Sequence, residues 1–305
     1  MKAFVVIATK GRSKETYVLL DYLERQTLTA AHVLIVGSED KDVDGLAAHP
    51  TVAAGQTTIM LARASLTIQR NAGLEALVPM VAGLEPKEWF VTFYDDDFRP
   101  AANWLEAAAQ ALVENPKVVG ITGNVLADGV NTEFGVTEGD AALYLAGSKA
   151  PEAHWSSAST IKTVDGLYGC NMSYRGTIAL DMRFDENLPM YGWQEDFDYS
   201  SRARARGELI LLPAARGVHL GSSSGRTSGV RFGYSQISNP IFLLKKGSMS
   251  YGKASLLMSK NITANVVKTL LMVRIKDFPG RLKGNLLAFK HLLSGKLDPL
   301  HVNKI

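Results

Sequence analysis

Over residues 1–125 short apolar, β-branched runs alternate with segments of helical length, and this alternation constrains the chain more than any other feature. Ala3-Phe4-Val5-Val6-Ile7-Ala8 and His32-Val33-Leu34-Ile35-Val36 read as buried strands. Between them a helix over residues 14–26 sets Val18, Leu19 and Tyr22 on one face. A third short strand is expected near 51–54, then a helix carrying Leu66, Ile68, Leu74 and Leu77. A strand over 89–94, a helix over 101–114 ended by Asn115-Pro116, and a strand over 118–122 complete the pattern. Strands joined by helices of this length predict an α/β fold, with a mostly parallel central sheet wound as βαβ units and flanked by helices. Ligands of such sheets sit beyond the carboxyl ends of the strands. The polar stretches 9–12, 37–40 and 95–97 all fall there.

Asp95-Asp96-Asp97 follows the aromatic run Trp89-Phe90-Val91-Thr92-Phe93-Tyr94 where that strand should end. Adjacent carboxylates repel, so they face water or meet a cation. On an extended chain Asp95 and Asp97 share one side and Asp96 the other. The triplet alone fits either a solvated turn or a site for Mg²⁺ or Mn²⁺. Glu195-Asp196, at the start of a helix running to Gly207, is a second acidic pair. There the helix dipole stabilises a carboxylate and can present a general base, although for the pair by itself ordinary helix capping is the better account. His219 ends a short strand and can be a metal ligand or a satisfied core histidine. Arg12 and Arg70 can bind phosphate or lie on the surface. The Gly- and Ser-rich loop 221–229, with Arg226, can close over a phosphate or be a plain connection.

Taken in order, these stretches resemble a family 2 glycosyltransferase of the GT-A type, of the kind that builds bacterial exopolysaccharides and other cell-surface glycans. Val6-Ile7-Ala8-Thr9-Lys10-Gly11-Arg12 resembles its opening strand and loop, without the usual proline, aromatic residue and asparagine. Gln69-Arg70-Asn71-Ala72-Gly73 resembles its R-N-x-G helix and Asp95-Asp96-Asp97 its D-x-D motif. Gly169-Cys170-Asn171-Met172-Ser173-Tyr174-Arg175 is similar to its G-x-N-x-x-x-R segment, and Gly192-Trp193-Gln194-Glu195-Asp196 to its E-D motif. The resemblance covers about residues 3–220. It implies a GT-A fold and inverting, metal-dependent transfer by a hexosyltransferase. The donor would be a nucleotide-diphosphate sugar, with a UDP-sugar favoured, and the acceptor a glycan or lipid-linked saccharide. Implied roles are Asp196 with Glu195 in catalysis, Asp97 and His219 on the metal, and Thr9, Arg12, Ser38, Arg70, Asp95 and Asp96 at the donor. Asn171 and Trp193 would face the acceptor. Gly37-Ser38-Glu39-Asp40 stands where the family commonly has an acidic pair that reads the base.

At 305 residues and 46% hydrophobic the chain can bury a large core. The segment 126–160 is less regular and is expected to hold a hairpin or loop, and strands are expected at 209–213 and 217–220. A glycosyltransferase unit would span 1–238, with a donor half about 1–125 and an acceptor half about 126–238. A helical extension would span 239–305. The chain's lone Cys170 fits a reducing compartment, and the opening run is too short for a signal peptide, so a cytoplasmic protein is expected. From residue 240 onward 12 Lys and Arg face only Asp277 and Asp298, a balance of +10 in a chain whose total is +3. Basic amphipathic helices of this kind can lie on an anionic leaflet, which predicts peripheral contact with the inner face of the plasma membrane; the alternative is a helical appendage that packs on the body or forms a dimer with its basic face in water. The aromatic interleaving of a nucleic-acid platform is missing, so no nucleic-acid partner is expected. Two rival readings remain open. One is a nucleotidyltransferase or nucleotide-sugar hydrolase, although no G-x-G-T-R loop is present. The other is a non-catalytic carbohydrate- or membrane-binding protein with a degenerate donor site.

Overall fold

The computed structural model describes residues 1–222 and 228–305. Its strands are β1 (Lys2–Ala8), β2 (His32–Gly37), β3 (Thr57–Leu61), β4 (Trp89–Asp95), β5 (Phe98–Pro100), β6 (Val118–Asp128), β7 (Lys162–Thr163), β8 (Asn171–Arg175) and β9 (Glu208–His219). The helices are α1 (Ser13–Glu24), α2 (Pro50–Ala53), α3 (Leu66–Met80), α4 (Trp104–Glu114), α5 (Glu138–Leu145), α6 (Gly176–Asp181), α7 (Glu195–Arg204), α8 (Gly229–Lys246), α9 (Tyr251–Leu270) and α10 (Phe278–Leu293). One sheet runs in the order β3-β2-β1-β4-β8-β6-β9-β5, with β7 beside β9. From β3 to β4 all pairs are parallel. Then β8 enters antiparallel between β4 and β6, and β6 and β9 are parallel again.

Both sheet faces are covered, which is why the strands read as unbroken apolar runs. Ala3, Val5 and Ile7 pack with Leu19, Leu20 and Leu23 of α1 and Trp104, Leu105 and Ala108 of α4. Phe4 and Val6 point the other way, into a core with Leu74 and Leu77 of α3, Ile178 of α6 and Tyr199 of α7. The buried face of α1 is Thr16, Leu19, Leu20 and Leu23, a quarter turn from the Val18–Tyr22 face the pattern suggests.

Several elements differ from expectation. Residues 50–53 form helix rather than strand, with Pro50 in the first turn and the His49 ring accepting from Thr51 N (3.2 Å). The third strand follows at Thr57–Leu61. Before α4 the chain makes strand β5, so that helix begins at Trp104. β6 continues to Asp128, and the rest of the irregular segment contains α5. The two strands expected at 209–220 are one, because β9 carries Pro213 in an irregularity where Gly123 pairs Leu212 and Asn124 pairs Arg216.

Helices α8, α9 and α10 form a layer whose core joins Tyr234, Ile237, Ala288 and Val302 to Met258, Ile262 and Leu287. The layer begins at Gly229, so position 238 lies inside α8. It is tied to the sheet domain by Asn239 Nδ2, which donates to Trp193 O (2.8 Å), and by Lys246, whose Nζ lies 2.9 Å from Asp198. Among the described residues no helix is long and apolar enough to cross a membrane.

Candidate active site

At the carboxyl edge of β1 and β2 two loops are stitched together by Asp42, a residue the sequence pattern did not single out. Gly11, at φ 68°, donates its N–H to Asp42 Oδ1 (2.7 Å). Asp42 Oδ2 accepts from Ser38 Oγ (2.6 Å), Ser38 N (2.9 Å) and Glu39 N (3.1 Å). Burial alone would push this carboxyl up, but the Ser38, Gly11 and Glu39 donors hold it below the ordinary range. From α3, Gln69 Nε2 donates to Thr9 O (2.9 Å) and Val36 O (2.7 Å), locking the two strand ends together.

β4 ends at Asp95, and the chain turns through Asp96 and Asp97 into β5. Pairing of β9 with β5 and β6 sets His219 opposite Phe98 and Asp128, beside this turn. His219 Nε2 lies 3.3 Å from Asp97 Oδ1 and 3.9 Å from Asp95 Oδ2. Asp97 and His219 are buried, whereas the Asp95 side chain is 23% exposed and opens the cluster to solvent. Asp97 Oδ2 accepts from Ser222 N (2.7 Å), but among the described residues its buried Oδ1 receives no aligned hydrogen bond. Burial pushes Asp97 up, yet His219 and Arg12 hold it well below the usual carboxylate range. Burial alone would lower His219, and Asp97 and Asp128 raise it well above its ordinary value. Two carboxylates and an imidazole with ligand atoms within 4.8 Å of one another, one oxygen lacking a donor among the described residues, fit a divalent cation.

Asp96 and Asp97 lie in a turn rather than on an extended chain, so the two-residue alternation does not hold through the triplet. Asp96 lies with Asp97 at Arg12. It accepts from Thr9 Oγ1 (2.8 Å) and Arg12 Nη1 (2.9 Å), and the same Arg12 nitrogen lies 3.4 Å from Asp97 Oδ2. Burial lifts the Asp96 carboxyl to about 7 against the pull of Arg12, with Asp97 adding to the rise.

Arg70 is buried. Its Nη1 donates to Glu195 Oε1 (2.6 Å), while Nη2 donates to Asp95 Oδ1 (3.0 Å) and Gly169 O (2.9 Å). It thus clasps the two acidic motifs together. Burial pushes Glu195 up to about 8 despite Arg70, and among the described residues Glu195 Oε2 has no hydrogen-bond partner. Asp196, partly exposed at the start of α7, accepts from Gly169 N (3.1 Å) and Phe197 N (2.7 Å). Desolvation raises its pKa in spite of those bonds.

Asn171 is fully buried, with Oδ1 accepting from Thr122 Oγ1 (2.9 Å) and Gly123 N (2.7 Å), so it pins β8 to β6. Trp193 is partly exposed and meets Phe232 edge to face at 5.9 Å. Sequence reasoning missed Asp128. It receives Tyr168 Oη (2.7 Å) on Oδ2, lies 3.1 Å from His154 Nε2, and lies 3.2 Å from His219 Nδ1 through Oδ1. A carboxylate ending a long strand is the only signal it carries, because the β6–β9 pairing alone brings it to His219. Arg226 lies outside the described residues.

The sheet, its flanking helices and the site at the carboxyl edge define a GT-A-like α/β fold. No family model and no curated protein matches the sequence. Among solved structures the chain is similar to S. aureus TarS 1–349 in complex with UDP-GlcNAc, with TM-score 0.53, 18% identity, and coverage of 80% of this chain and 67% of that one. The UDP complex of TarS 1–349 gives TM-score 0.52 at 16% identity, covering 80% of this chain and 66% of that one. The chain spans 66% of TarS 1–349 alone and 40% of a longer TarS structure. At such identity the likeness is one of fold.

Proposed function

We propose that this chain is an inverting glycosyltransferase that moves a sugar from a UDP-sugar to a glycan or lipid-linked saccharide at a membrane face. The observation that carries the reading is the Asp95–Asp97–His219 cluster at the carboxyl edge of the sheet, clasped by Arg70 to Glu195, whose chain neighbour is Asp196. TarS, of similar fold, binds UDP and UDP-GlcNAc.

Residues 1–125 would hold the donor and 126–238 the acceptor. Arg12, Ser38 and Asp95 line the donor side, braced by Thr9, Asp96 and Arg70. When bound by Asp95, Asp97 and His219, Mg²⁺ or Mn²⁺ supplies positive charge to the diphosphate leaving group. Asp196 accepts the proton of the acceptor hydroxyl as its oxygen bonds to the anomeric carbon. The bond from that carbon to the diphosphate breaks, and its electrons leave with UDP. A raised pKa brings Asp196 toward neutral pH, where proton acceptance is most effective. Glu195 and Arg70 fix the start of α7, and Trp193 offers a face to the acceptor.

The test is UDP release from a panel of UDP-sugars, followed by phosphorus NMR with Mn²⁺ and with EDTA, and with mixed oligosaccharide acceptors. Release that needs Mn²⁺, rises with acceptor and gives a product of inverted anomeric configuration is expected. No release from any UDP-sugar, or release equal in EDTA, contradicts the proposal.

A further inference from the structure

We infer that the turn between α9 and α10 inserts into the surface of an anionic bilayer. At this turn Leu270, Leu271 and Met272 are 69 to 80% exposed, and Ile275 and Val267 are exposed beside them. Met272 sits at φ 51°, a left-handed conformation that suits glycine, so a bulky apolar side chain is kept at the tip against a backbone cost. Lys268, Arg274 and Lys276 flank the tip. The neighbouring acid, Asp277, is engaged as the cap of α10 through Gly280 N (2.8 Å). On the outer face of α10 Lys283, Leu286, Lys290 and Leu293 alternate, all exposed. Cores of protein interfaces are depleted of lysine, whereas shallow insertion beside anionic headgroups uses this pairing of apolar tip and cationic surround. Lys276 Nζ donates to Asn131 Oδ1 (3.1 Å), just past Asp128 at the end of β6, so the turn adjoins the edge that carries His219. This deepens the membrane-face reading above, but its test needs no catalysis.

The full chain is floated with phosphatidylcholine vesicles, with and without phosphatidylglycerol. Wild type should float only with phosphatidylglycerol. Leu271→Glu/Met272→Glu, with an unchanged melting curve, should lose on the order of tenfold in partitioning. Lys268→Glu/Arg274→Glu should lose a similar factor. Failure of wild type to float overturns the inference, as does equal flotation of the apolar variant. So does an apolar variant that only dissociates a dimer in sedimentation, which would make a second copy the occupant.

A separate observation points to Asp128 as the positioning residue for His219. With Nδ1 of the imidazole directed at Asp128 Oδ1, Nε2 is left to face Asp97. Tyr168 and His154 hold the other carboxylate oxygen, so the aim is fixed from three sides. Such an outer partner orients a ligating histidine and raises its basicity. This rests on the metal reading. Free Mn²⁺ is followed by electron paramagnetic resonance in titrations of wild type and Asp128→Asn with UDP present. Asp128→Asn should bind Mn²⁺ about 10- to 100-fold more weakly, with its melting temperature and UDP affinity in EDTA retained. Equal Mn²⁺ affinity sinks the role of Asp128 alone. No Mn²⁺ binding by wild type sinks the metal reading with it.

Discussion

Asp97 and Glu195 are both buried carboxylates with an arginine near, and their surroundings push them in opposite directions, Asp97 below and Glu195 above the usual carboxylate range. Asp97 has His219, Arg12 and the Ser222 N–H directed at it, and together these overcome burial and keep it ionised. Glu195 has Arg70, which it shares with Asp95 and Gly169 O, and burial wins. The difference lies in how many donors and cations each carboxylate commands, not in how deep it sits. One cluster is thereby suited to hold a cation and the other to handle a proton, although both are made of the same chemical group.

The comparison breaks most sharply at Asp196. Asp196→Asn is expected to lower kcat by about 100- to 10,000-fold while leaving Mn²⁺-dependent UDP binding intact. Parallel loss of UDP binding would put Asp196 in the donor site instead. Next in size, Arg70→Met removes the clasp and leaves Asp95 and Glu195 without their shared partner. It should cost about 3–5 kcal/mol in urea unfolding, and a cost near zero would mean that the two motifs stand independently. The smallest effect sharpens the comparison through pH. Because the folded state raises Glu195 from 4.5 to about 8, the stability tied to its neutral form is full below 4.5 and is lost as pH rises through about 8. Glu195→Gln should flatten the fall in melting temperature over that window. An unchanged slope would assign the pH dependence to another group.

The parallel half of the sheet was legible because strands covered on both faces leave continuous apolar runs, as β1, β2 and β4 do. The misreading at 51–54 has a local cause. Thr51 and Val52 are β-branched, but Pro50 and the His49 cap decide for helix. Pro213 looked like a strand end, and the sheet absorbs it as an irregularity within β9. At the site, the resemblance put Asp97 and His219 on a metal and Asp95 at the donor, and in the structure ligand atoms of all three lie within 4.8 Å of one another. Direction was not legible. Arg70 and Asn171 turn inward, Arg70 to Glu195, Asp95 and Gly169 and Asn171 to Thr122 and Gly123. Asp42 and Asp128 act only through loops and strands brought near by the fold, so no spacing in the sequence announces them.

The most direct test of the central claim is calorimetric titration of UDP into wild type and Asp97→Ala, each with and without Mn²⁺. The account predicts Mn²⁺-dependent binding in wild type that Asp97→Ala abolishes, with both proteins folded at the temperature of the titration. Equal Mn²⁺-dependent affinity in the two proteins would contradict it.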